Sequence, residues 1–194
     1  YITLQPESKR NFYIYLITIP FWTNLLIRTF AWIIILGRGG VIEAPLLAAG
    51  IIEDSLRMMY TDGAIAIGLT YSYLPLMVLP IYASLEKLDF RLLEAASDLY
   101  ANRFEIMTKV VIPLCKPGII AGCLLVFIPC LGAFIAPNLL GGGKKLMLGS
   151  LVQFQFASAR NWPFGAALSM LLLAVVVIVL VFYARSAKNR AAME

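Results

Sequence analysis

The residues of this chain that could do chemistry are aromatic rings, a few side-chain amides and backbone carbonyls released by proline. Histidine is absent, which removes the commonest general base and metal ligand from any catalytic scheme. No carboxylate lies inside the four long apolar stretches described below. The remaining groups can hold a small organic cation by cation–π attraction, worth about 0.5 to 2 kcal/mol per ring. They supply no acid–base pair.

Four prolines interrupt the apolar stretches, and they are Pro20, Pro75, Pro80 and Pro129. Each removes a helical hydrogen bond, so a carbonyl must find a neighbouring helix or water in a cavity. Transporters use such interrupted helices near their binding sites, whereas simple packing kinks are the competing interpretation. Because the four prolines lie at comparable depths, we favour a substrate pathway through the membrane over simple packing kinks. The residues that we expect to line it are Phe21, Trp22, Asn24, Tyr71, Tyr73, Phe134 and Asn138. Trp32 and Trp162 suit an interface belt better.

Metal and nucleotide sites are not predicted on this chain. Cys123 and Cys130 lie seven residues apart on one predicted helix, about 10 Å of rise, which is too far for a disulfide. The three cysteines are therefore interpreted as small apolar packing residues. The glycines 141–143 are followed by Lys-Lys-Leu, whereas a phosphate loop needs Lys followed by Ser or Thr.

The composition shows what kind of element must position these residues. Of 194 residues, 61% are hydrophobic and 14% are charged, and the mean hydropathy is +0.84. Soluble domains have about 45 to 50% apolar and about 25% charged residues, and disordered chains have low hydrophobicity. The composition therefore argues against a soluble enzyme and against disorder, and it indicates a bilayer protein. The net charge of +5 is better explained by basic cytoplasmic loops than by a nucleic-acid partner.

Four stretches are long and apolar enough to cross the bilayer, which takes roughly 20 residues. They cover about 11–36, 63–84, 118–137 and 164–184. The pattern predicts an all-α, polytopic membrane protein that forms one domain over residues 1–194. The first stretch is long enough to tilt or to continue as an interfacial helix. Arg28 falls about 25 Å along it, which predicts that its side chain snorkels to the outer interface.

The basic residues are unevenly divided between the two sides of these spans. Ten share one side, namely Lys9, Arg10, Lys87, Arg91, Arg103, Lys109, Lys116, Arg185, Lys188 and Arg190, and five share the other, namely Arg38, Arg57, Lys144, Lys145 and Arg160. The positive-inside rule places both termini and the loop 85–117 in the cytoplasm. The chain opens without Met or a signal-peptide pattern, so we expect that something precedes Tyr1.

The loop 85–117 is too polar to span a membrane and too periodic to be unstructured. Asp89 is a plausible N-cap for a helix that runs to about Leu99. Asn102 with Glu105 resembles a capping box that starts a second helix. We therefore predict two short helices at an angle.

One side of the first loop helix is apolar and comprises Phe90, Leu92, Leu93, Ala96, Ser97 and Leu99. Such a face typically docks in a groove of a partner. The alternative is a helix lying on the lipid surface, which the acidic residues Glu94, Asp98 and Glu105 disfavour on an anionic leaflet.

The same loop carries a recognisable motif. Glu94-Ala95-Ala96, followed after a spacer by Val110-Val111-Ile112-Pro113, resembles the EAA loop of ABC-importer permeases. The resemblance implies a coupling helix seated on an ATP-binding subunit, with Glu94, Ala95, Ala96, Asp98, Leu99 and Tyr100 as the coupling residues. Further segments resemble the spermidine/putrescine permease subfamily, and they are 20–24, 28–29, 79–89, 139–142 and 160–165. Related permeases share a six-span core with this loop, so four spans imply that the first two are missing here.

The sequence departs from the family pattern at three positions. Tyr100 replaces the glycine after EAA, where a side chain must bear left-handed strain of about 1 kcal/mol or shift the turn. Asn138 and Asn161 replace acidic residues in the outward half, where a cationic polyamine would enter. Without carboxylates in the spans, binding of a polycation depends on rings, carbonyls and Asn24, or on carboxylates from a partner chain.

The resemblance implies the permease subunit of an ATP-driven importer in a bacterial inner membrane, with polyamines as the substrate. ATP hydrolysis is expected on a separate subunit, and no cofactor is expected on this chain. The implied partners are an ATP-binding subunit, a second permease subunit and an extracytoplasmic substrate-binding protein. The segment 138–163 is expected to be a mobile outer loop that meets this protein. A permease for another small organic solute is the alternative. A channel or an intramembrane enzyme would need charged residues or a filter motif in the spans.

Overall fold

The structure is a computed structural model that describes residues 6–52, 54, 56 and 58–191. Every regular element in this part of the chain is a helix. In chain order the helices are α1 (Glu7–Trp22), α2 (Leu25–Leu36), α3 (Glu43–Ala48), α4 (Asp62–Glu86), α5 (Arg91–Asp98), α6 (Arg103–Ile106), α7 (Ile112–Leu131), α8 (Ile135–Leu140), α9 (Leu148–Ala157) and α10 (Trp162–Ala191). A π-helical segment, Met107–Val111, joins α6 to α7.

The first predicted span, 11–36, is not one helix. α1 and α2 meet at an angle of 98°. Pro20 cannot donate a backbone hydrogen bond near the end of α1, and Thr23 is extended with ψ of 151°. Asn24 then starts α2, because its Oδ1 accepts a hydrogen bond from the backbone N–H of Leu26 at 2.8 Å. The predicted first stretch is therefore two helices, and the pair is a broken span or a re-entrant segment by length and composition.

Three unbroken helices of the described residues are long and apolar enough to cross a membrane. Asp62–Glu86 and Trp162–Arg185 cover the apolar stretches 63–84 and 164–184. The third helix, Arg103–Leu131, differs from the stretch 118–137 at both ends. It begins earlier because the first turns are polar but still helical. It ends earlier because Gly132 closes the helix and α8 starts separately.

The closest packing joins α4 to α7. A Cβ atom on Gly118 would lie 2.6 Å from the carbonyl oxygen of Pro80 and would also overlap Ser84. A Cβ on Gly122 would lie 3.1 Å from the carbonyl oxygen of Met77. Small residues four apart allow two membrane helices to approach closely. The two glycines therefore allow α7 to pack closely against the C-terminal half of α4, which contains Pro75 and Pro80.

Ion pairs mark the two ends of α4. Arg10 Nη2 lies 3.3 Å from Glu86 Oε1 at the C-terminal end, and Lys145 Nζ lies 3.0 Å from Asp62 Oδ2 at the N-terminal end. Arg10 and Lys145, which charge counting assigns to opposite sides of the membrane, thus lie at opposite ends of this helix. Arg57, residues 1–5 and residues 192–194, which the charge count and the one-domain prediction include, lie outside the described residues, as do the side chains of Lys188 and Arg190.

The buried core lies at the N-terminal end of α4, where α2 and α8 also pack. Its members are Leu36, Ala64, Ile65, Ala136 and Leu140. Leu140 is fully buried, and Gly68 of α4 leaves room for its side chain. This core fixes the short helix α8 against the N-terminal half of α4.

The segment 138–163 is more ordered than the predicted outer loop. It contains the end of α8, a turn at the three glycines and the ten-residue helix α9. Gly149 at the start of α9 approaches the backbone of Gly132 so closely that a Cβ would lie 2.5 Å from the Gly132 carbonyl carbon. The prediction of a loop is therefore wrong for 148–157, which forms a helix.

Candidate functional site

A cavity of about 120 Å³ lies where α2, α4, α7 and α8 converge. Its lining residues are Leu25, Leu69, Ser72, Tyr73, Pro129, Gly132, Ala133, Phe134, Ile135 and Ala136. Two breaks in the chain meet there, since Leu25 opens α2 and Gly132 follows α7. Interrupted helices at a cavity are typical of transporter binding sites.

Tyr73 and Phe134 are the predicted pathway residues that the cavity brings together. The hydroxyl of Tyr73 donates a hydrogen bond to the carbonyl oxygen of Pro129 at 3.2 Å. This carbonyl belongs to the last turn of α7, where helical carbonyls lack an intrahelical partner. Tyr73 thus stabilises the end of α7 and leaves its ring on the cavity wall.

The other predicted pathway residues are placed elsewhere. Asn24 caps α2 next to the cavity-lining Leu25. The ring of Tyr71 packs edge-on against Trp32 at 5.5 Å, and Asn138 Nδ2 donates to Gln153 Oε1 at 3.3 Å. Phe21 and Trp22 are exposed at the end of α1, Trp22 by 85%.

Trp32 and Trp162 were assigned to an interface belt. Trp32 packs on Tyr71 of α4 and is half-buried, and its place in a belt stays a prediction. Trp162 is exposed and packs edge-on against Phe156 of α9.

Arg28 contacts the middle of α4 and neither of its ends. Its Nη1 donates to the carbonyl oxygen of Ser72 at 3.4 Å, and Ser72 is ten residues from the start of α4 at Asp62, about 15 Å along the helix. The depth predicted from sequence assumed a straight first span, and the 98° break invalidates it. Arg28 is half-buried, and its Nε is buried without a hydrogen-bond partner.

The loop after α4 contains one of the two predicted N-caps, since the N-cap of α5 is Phe90, which makes no side-chain cap hydrogen bond, and not Asp89. Asp89 Oδ1 accepts from the backbone N–H of Arg91 at 3.0 Å, next to the first turn of α5. Asn102 and Glu105 form a reciprocal capping box at 2.9 and 3.1 Å. The second helix is not short as predicted, because α6 continues through the π-helical segment into α7. Movement of the Asn102 turn would therefore act directly on a long helix.

Of the two alternatives left open for Tyr100, the structure shows the left-handed conformation, with φ of 60°. Its backbone N–H donates to the carbonyl oxygen of Ser97 at 3.0 Å, which ends α5. The side chain is 97% exposed, and the neighbouring Leu99 and Phe104 are 81% and 76% exposed. The EAA residues 94–96 lie on α5, whose described residues include no buried side chain.

Three features were not predicted from the sequence. The pairing of Gly118 and Gly122 with α4 had a usable signal in the G-x-x-x-G spacing. Glu43 of α3 is buried to 3% exposure, and one of its contacts is a hydrogen bond from the backbone N–H of Gly39 at 3.0 Å. Its helix lies outside the predicted spans, so no signal marked it. The contact of Arg28 with the middle of α4 could not be predicted from the sequence, because it depends on the bend between α1 and α2.

The chain belongs to the family described as binding-protein-dependent transport system inner membrane component, whose profile matches residues 10–190. This family membership confirms the predicted class, a multi-pass inner-membrane permease component of a transport system.

Among curated relatives, the chain is similar to spermidine/putrescine transport system permease proteins PotB. The protein of Salmonella typhimurium strain LT2 is 44% identical over 188 residues, covering 97% of this chain and 66% of its own length. The protein of Escherichia coli K12 is 44% identical over 97% of this chain and 68% of its own length. That of Haemophilus influenzae is 45% identical over 92% of this chain and 63% of its own length. The chain spans about two thirds of the length of these relatives.

Solved structures support the fold. A bacterial alginate ABC transporter in complex with an alginate-bound periplasmic protein matches with a TM-score of 0.68 at 15% identity, over 93% of this chain and 66% of the other. A second structure of a bacterial ABC transporter for alginate import also gives 0.68, at 13% identity, over 96% and 68%. This likeness shows that the chain has an ABC-transporter permease fold.

Proposed function

We propose that the chain is the permease subunit of an ATP-driven importer that moves spermidine or putrescine into the cell. The observation that carries the proposal is the 44% identity to PotB proteins over 97% of the chain. The cavity lined by Tyr73 and Phe134 supports it, because rings at the ends of broken helices can hold an organic cation. No cofactor is needed on this chain, and the whole chain forms one transmembrane domain.

The membrane arrangement has four spans when the bent pair α1–α2 counts as one. Both termini and the loop 85–117 face the cytoplasm, as the excess of basic residues favours. Cysteine labelling in sealed cells tests this orientation, with Cys115, Cys123 and Cys130 first replaced. A membrane-impermeant reagent should label a cysteine at Ser158 and not one at Ser97, both of which are exposed. Equal labelling would reject the orientation.

The loop 85–117 couples the permease to a separate ATP-binding subunit, which carries out the hydrolysis. Glu94, Ala95, Ala96 and Asp98 present α5 to that subunit, and the exposed Leu99 and Tyr100 extend the contact. The exposure of large apolar side chains beside charged residues supports a protein partner, since such a loop is too polar to enter lipid. A second permease subunit and an extracytoplasmic substrate-binding protein complete the importer.

Uptake by the reconstituted complex tests the substrate. Labelled spermidine and putrescine should accumulate only with ATP and the substrate-binding protein, whereas neutral amino acids should not. A thermal-shift panel on the same complex should show stabilisation by polyamines. Absence of polyamine uptake with uptake of another solute would overturn the substrate assignment.

A permease for another small organic solute is a second candidate, and charge favours it. Arg28 lies near the cavity, and amides occupy positions 138 and 161, where the spermidine/putrescine permeases carry acidic residues. Asn161 caps α10, since its Oδ1 accepts from the backbone N–H of Phe164 at 3.3 Å. Asn138→Asp with Asn161→Asp should increase polyamine capture, and the gain should shrink with salt because exposed charges are screened over about 8 Å. Unchanged uptake of every cation would favour the second candidate.

A further inference from the structure

We propose that the π-helical segment Met107–Val111 is a register switch, which lets the turn at Asn102 rotate against α7 while α7 stays packed on α4. This switch rests on the proposed function in one respect, namely that the loop 85–117 transmits the state of an ATP-binding subunit. It assigns the movement to one turn of one helix.

The segment interrupts an otherwise continuous helix, Arg103–Leu131. The backbone N–H of Ile112 donates to the carbonyl oxygen of Met107, five residues earlier, whereas an α-helix pairs residues four apart. The π-turn therefore holds one residue more than the α-turn that it replaces. Single π-turns inside α-helices occur frequently at functional sites.

Pro113 explains why the extra residue is tolerated at this place. Proline has no backbone N–H, and in a regular α-helix its ring collides with the carbonyl group four residues earlier, which here is that of Lys109. A wider turn moves this carbonyl away from the ring. The proline thus raises the free energy of the α-turn, and the two forms are closer in free energy here than in a helix without proline.

The parts of the chain on the two sides of the segment differ in how firmly they are held. On the C-terminal side, Cys115, Gly118 and Gly122 are buried, and the two glycines bring α7 against α4. On the N-terminal side, the described residues of α5 and α6 include no buried one, and neither does the segment itself. The loop can therefore rotate without breaking buried packing, whereas α7 cannot.

The Asn102 turn moves as one unit with α6, because the capping box joins Asn102 and Glu105 in both directions at 2.9 and 3.1 Å. Transfer of the extra residue out of the segment would turn this unit by about 100° and shift it by about 1.5 Å, one residue of an α-helix. A side-chain tip about 5 Å from the helix axis, such as that of the exposed Phe104, would move by about 8 Å. Since residues 99–101 alone separate α5 from Asn102, α5 would move too.

Two variants each hold the helix in one register. In Pro113→Ala the extra residue remains and a backbone N–H is restored, so the segment should become α-helical and the Asn102 turn should take the rotated position. Deletion of Val110 in the Pro113→Ala background removes the extra residue, so an α-helix should form with the turn in its present position. Both variants should melt no lower than the parent, because each gains a backbone hydrogen bond.

The distance between spin labels on Lys87→Cys and Phe104→Cys measures the register, with the three native cysteines first replaced. Both positions are exposed, and Lys87 directly follows the packed helix α4. The deletion variant should give the distance of the free parent permease, and Pro113→Ala should differ from it by up to about 8 Å.

In the complex of the parent permease with the ATP-binding subunit, ATP should move this distance from one of the two values towards the other. Val110→Ala is the matched control, since it shortens the same side chain but keeps the extra residue and the proline, and it should respond to ATP as the parent does. An unchanged distance in the parent overturns the proposal, even if the two locked variants fail to fold.

ATP hydrolysis stimulated by substrate-loaded binding protein then tests whether the movement is used. Both locked variants should lose stimulation by about tenfold, within the usual range of coupling between two sites, because each lacks one position of the turn. Parent-level stimulation in the deletion variant, which keeps the present position, would show that the π-turn only accommodates Pro113 and would overturn the proposal. Ala96→Asp separates the two failures. If it also keeps stimulation, the proposed ATPase contact is wrong, whereas if it loses stimulation only the switch is wrong.

Discussion

The contact between α4 and α7 is closely packed, whereas the loop that precedes α6 leaves large apolar side chains exposed. At the contact, Gly118 and Gly122 bring two backbones so close that a methyl group at either position would collide. In the loop, Leu99, Tyr100 and Phe104 are 76 to 97% exposed. One region is closely packed within this chain, whereas the other leaves large apolar side chains exposed.

The membrane explains why the two regions differ. Lipid is as apolar as leucine, so helices in a bilayer associate through close packing of small residues. Exposed apolar side chains on α10, whose membrane-length part is only 6% buried, can be covered by lipid. The loop carries too many charges to enter lipid, so its apolar side chains indicate a protein surface.

The largest effect is expected from a charge placed on α5, where the loop is proposed to contact the ATP-binding subunit. Ala96→Asp should abolish the stimulation of ATP hydrolysis by substrate-loaded binding protein, because an unpaired carboxylate in a protein contact costs about 3 kcal/mol, more than a hundredfold in affinity. The measurement is ATPase activity of the reconstituted complex with and without loaded binding protein.

Ala159→Asp is the matched control, since it makes the same change at an exposed site predicted to lie on the opposite side of the membrane. It should leave stimulation near the parent level. Parent-level stimulation in Ala96→Asp would show that α5 does not contact the ATPase.

The next effect is expected at the packed contact. Gly118→Ala should lower the stability of the folded chain by about 2 kcal/mol, because the backbone carbonyl of Pro80 cannot move away cheaply from the new methyl group. Thermal unfolding in detergent measures it. Gly132→Ala is the control, since its Cβ would come no closer than 3.9 Å to any neighbouring heavy atom.

Gly122→Ala sharpens the same comparison. Its nearest neighbour is the Met77 sulfur at 2.9 Å, the far part of a flexible side chain. The cost should therefore be smaller than at Gly118, about 1 kcal/mol. If Gly118→Ala and Gly122→Ala lose equal stability, the cost of a methyl group is set by the distance between the two helices and not by the carbonyl of Pro80.

These regions also differ in how well sequence predicts them. α4 and α10 were predictable because a long apolar run between polar ends leaves few alternatives to a span. The capping box at Asn102 was predictable because its geometry is local. Pro20 marked an interruption of the first apolar stretch, but the 98° bend before Asn24 was not predicted, because a proline in an apolar run does not by itself give the size of a bend.

The candidate site was only partly predictable for the same reason. Proline and ring positions indicated Tyr73 and Phe134, which do line the cavity. Leu25 and Gly132 became lining residues only because the helices break beside them, which composition does not reveal. Arg28 was misplaced because depth along a span was calculated for a straight helix.

The smallest effect concerns Tyr100, which combines strain and exposure in one residue. Its φ of 60° costs a residue with a side chain about 1 to 2 kcal/mol, whereas glycine there pays about 0.5 to 1 kcal/mol in chain entropy. Tyr100→Gly should therefore stabilise the isolated chain by about 0.5 to 1 kcal/mol. Thermal unfolding without the ATPase measures this strain alone.

The assembled complex then separates strain from contact. Tyr100→Ala removes the ring but keeps a Cβ and the strain, whereas Tyr100→Gly removes both. If relief of strain dominates, Tyr100→Gly raises the melting temperature of the complex and its coupled ATPase activity above those of Tyr100→Ala and of the parent. If the ring packs on the ATPase, both substitutions reduce coupling although only glycine stabilises the isolated chain. We expect relief of strain, since no described residue of this chain buries the ring, and a clear fall in both quantities for Tyr100→Gly would defeat that expectation.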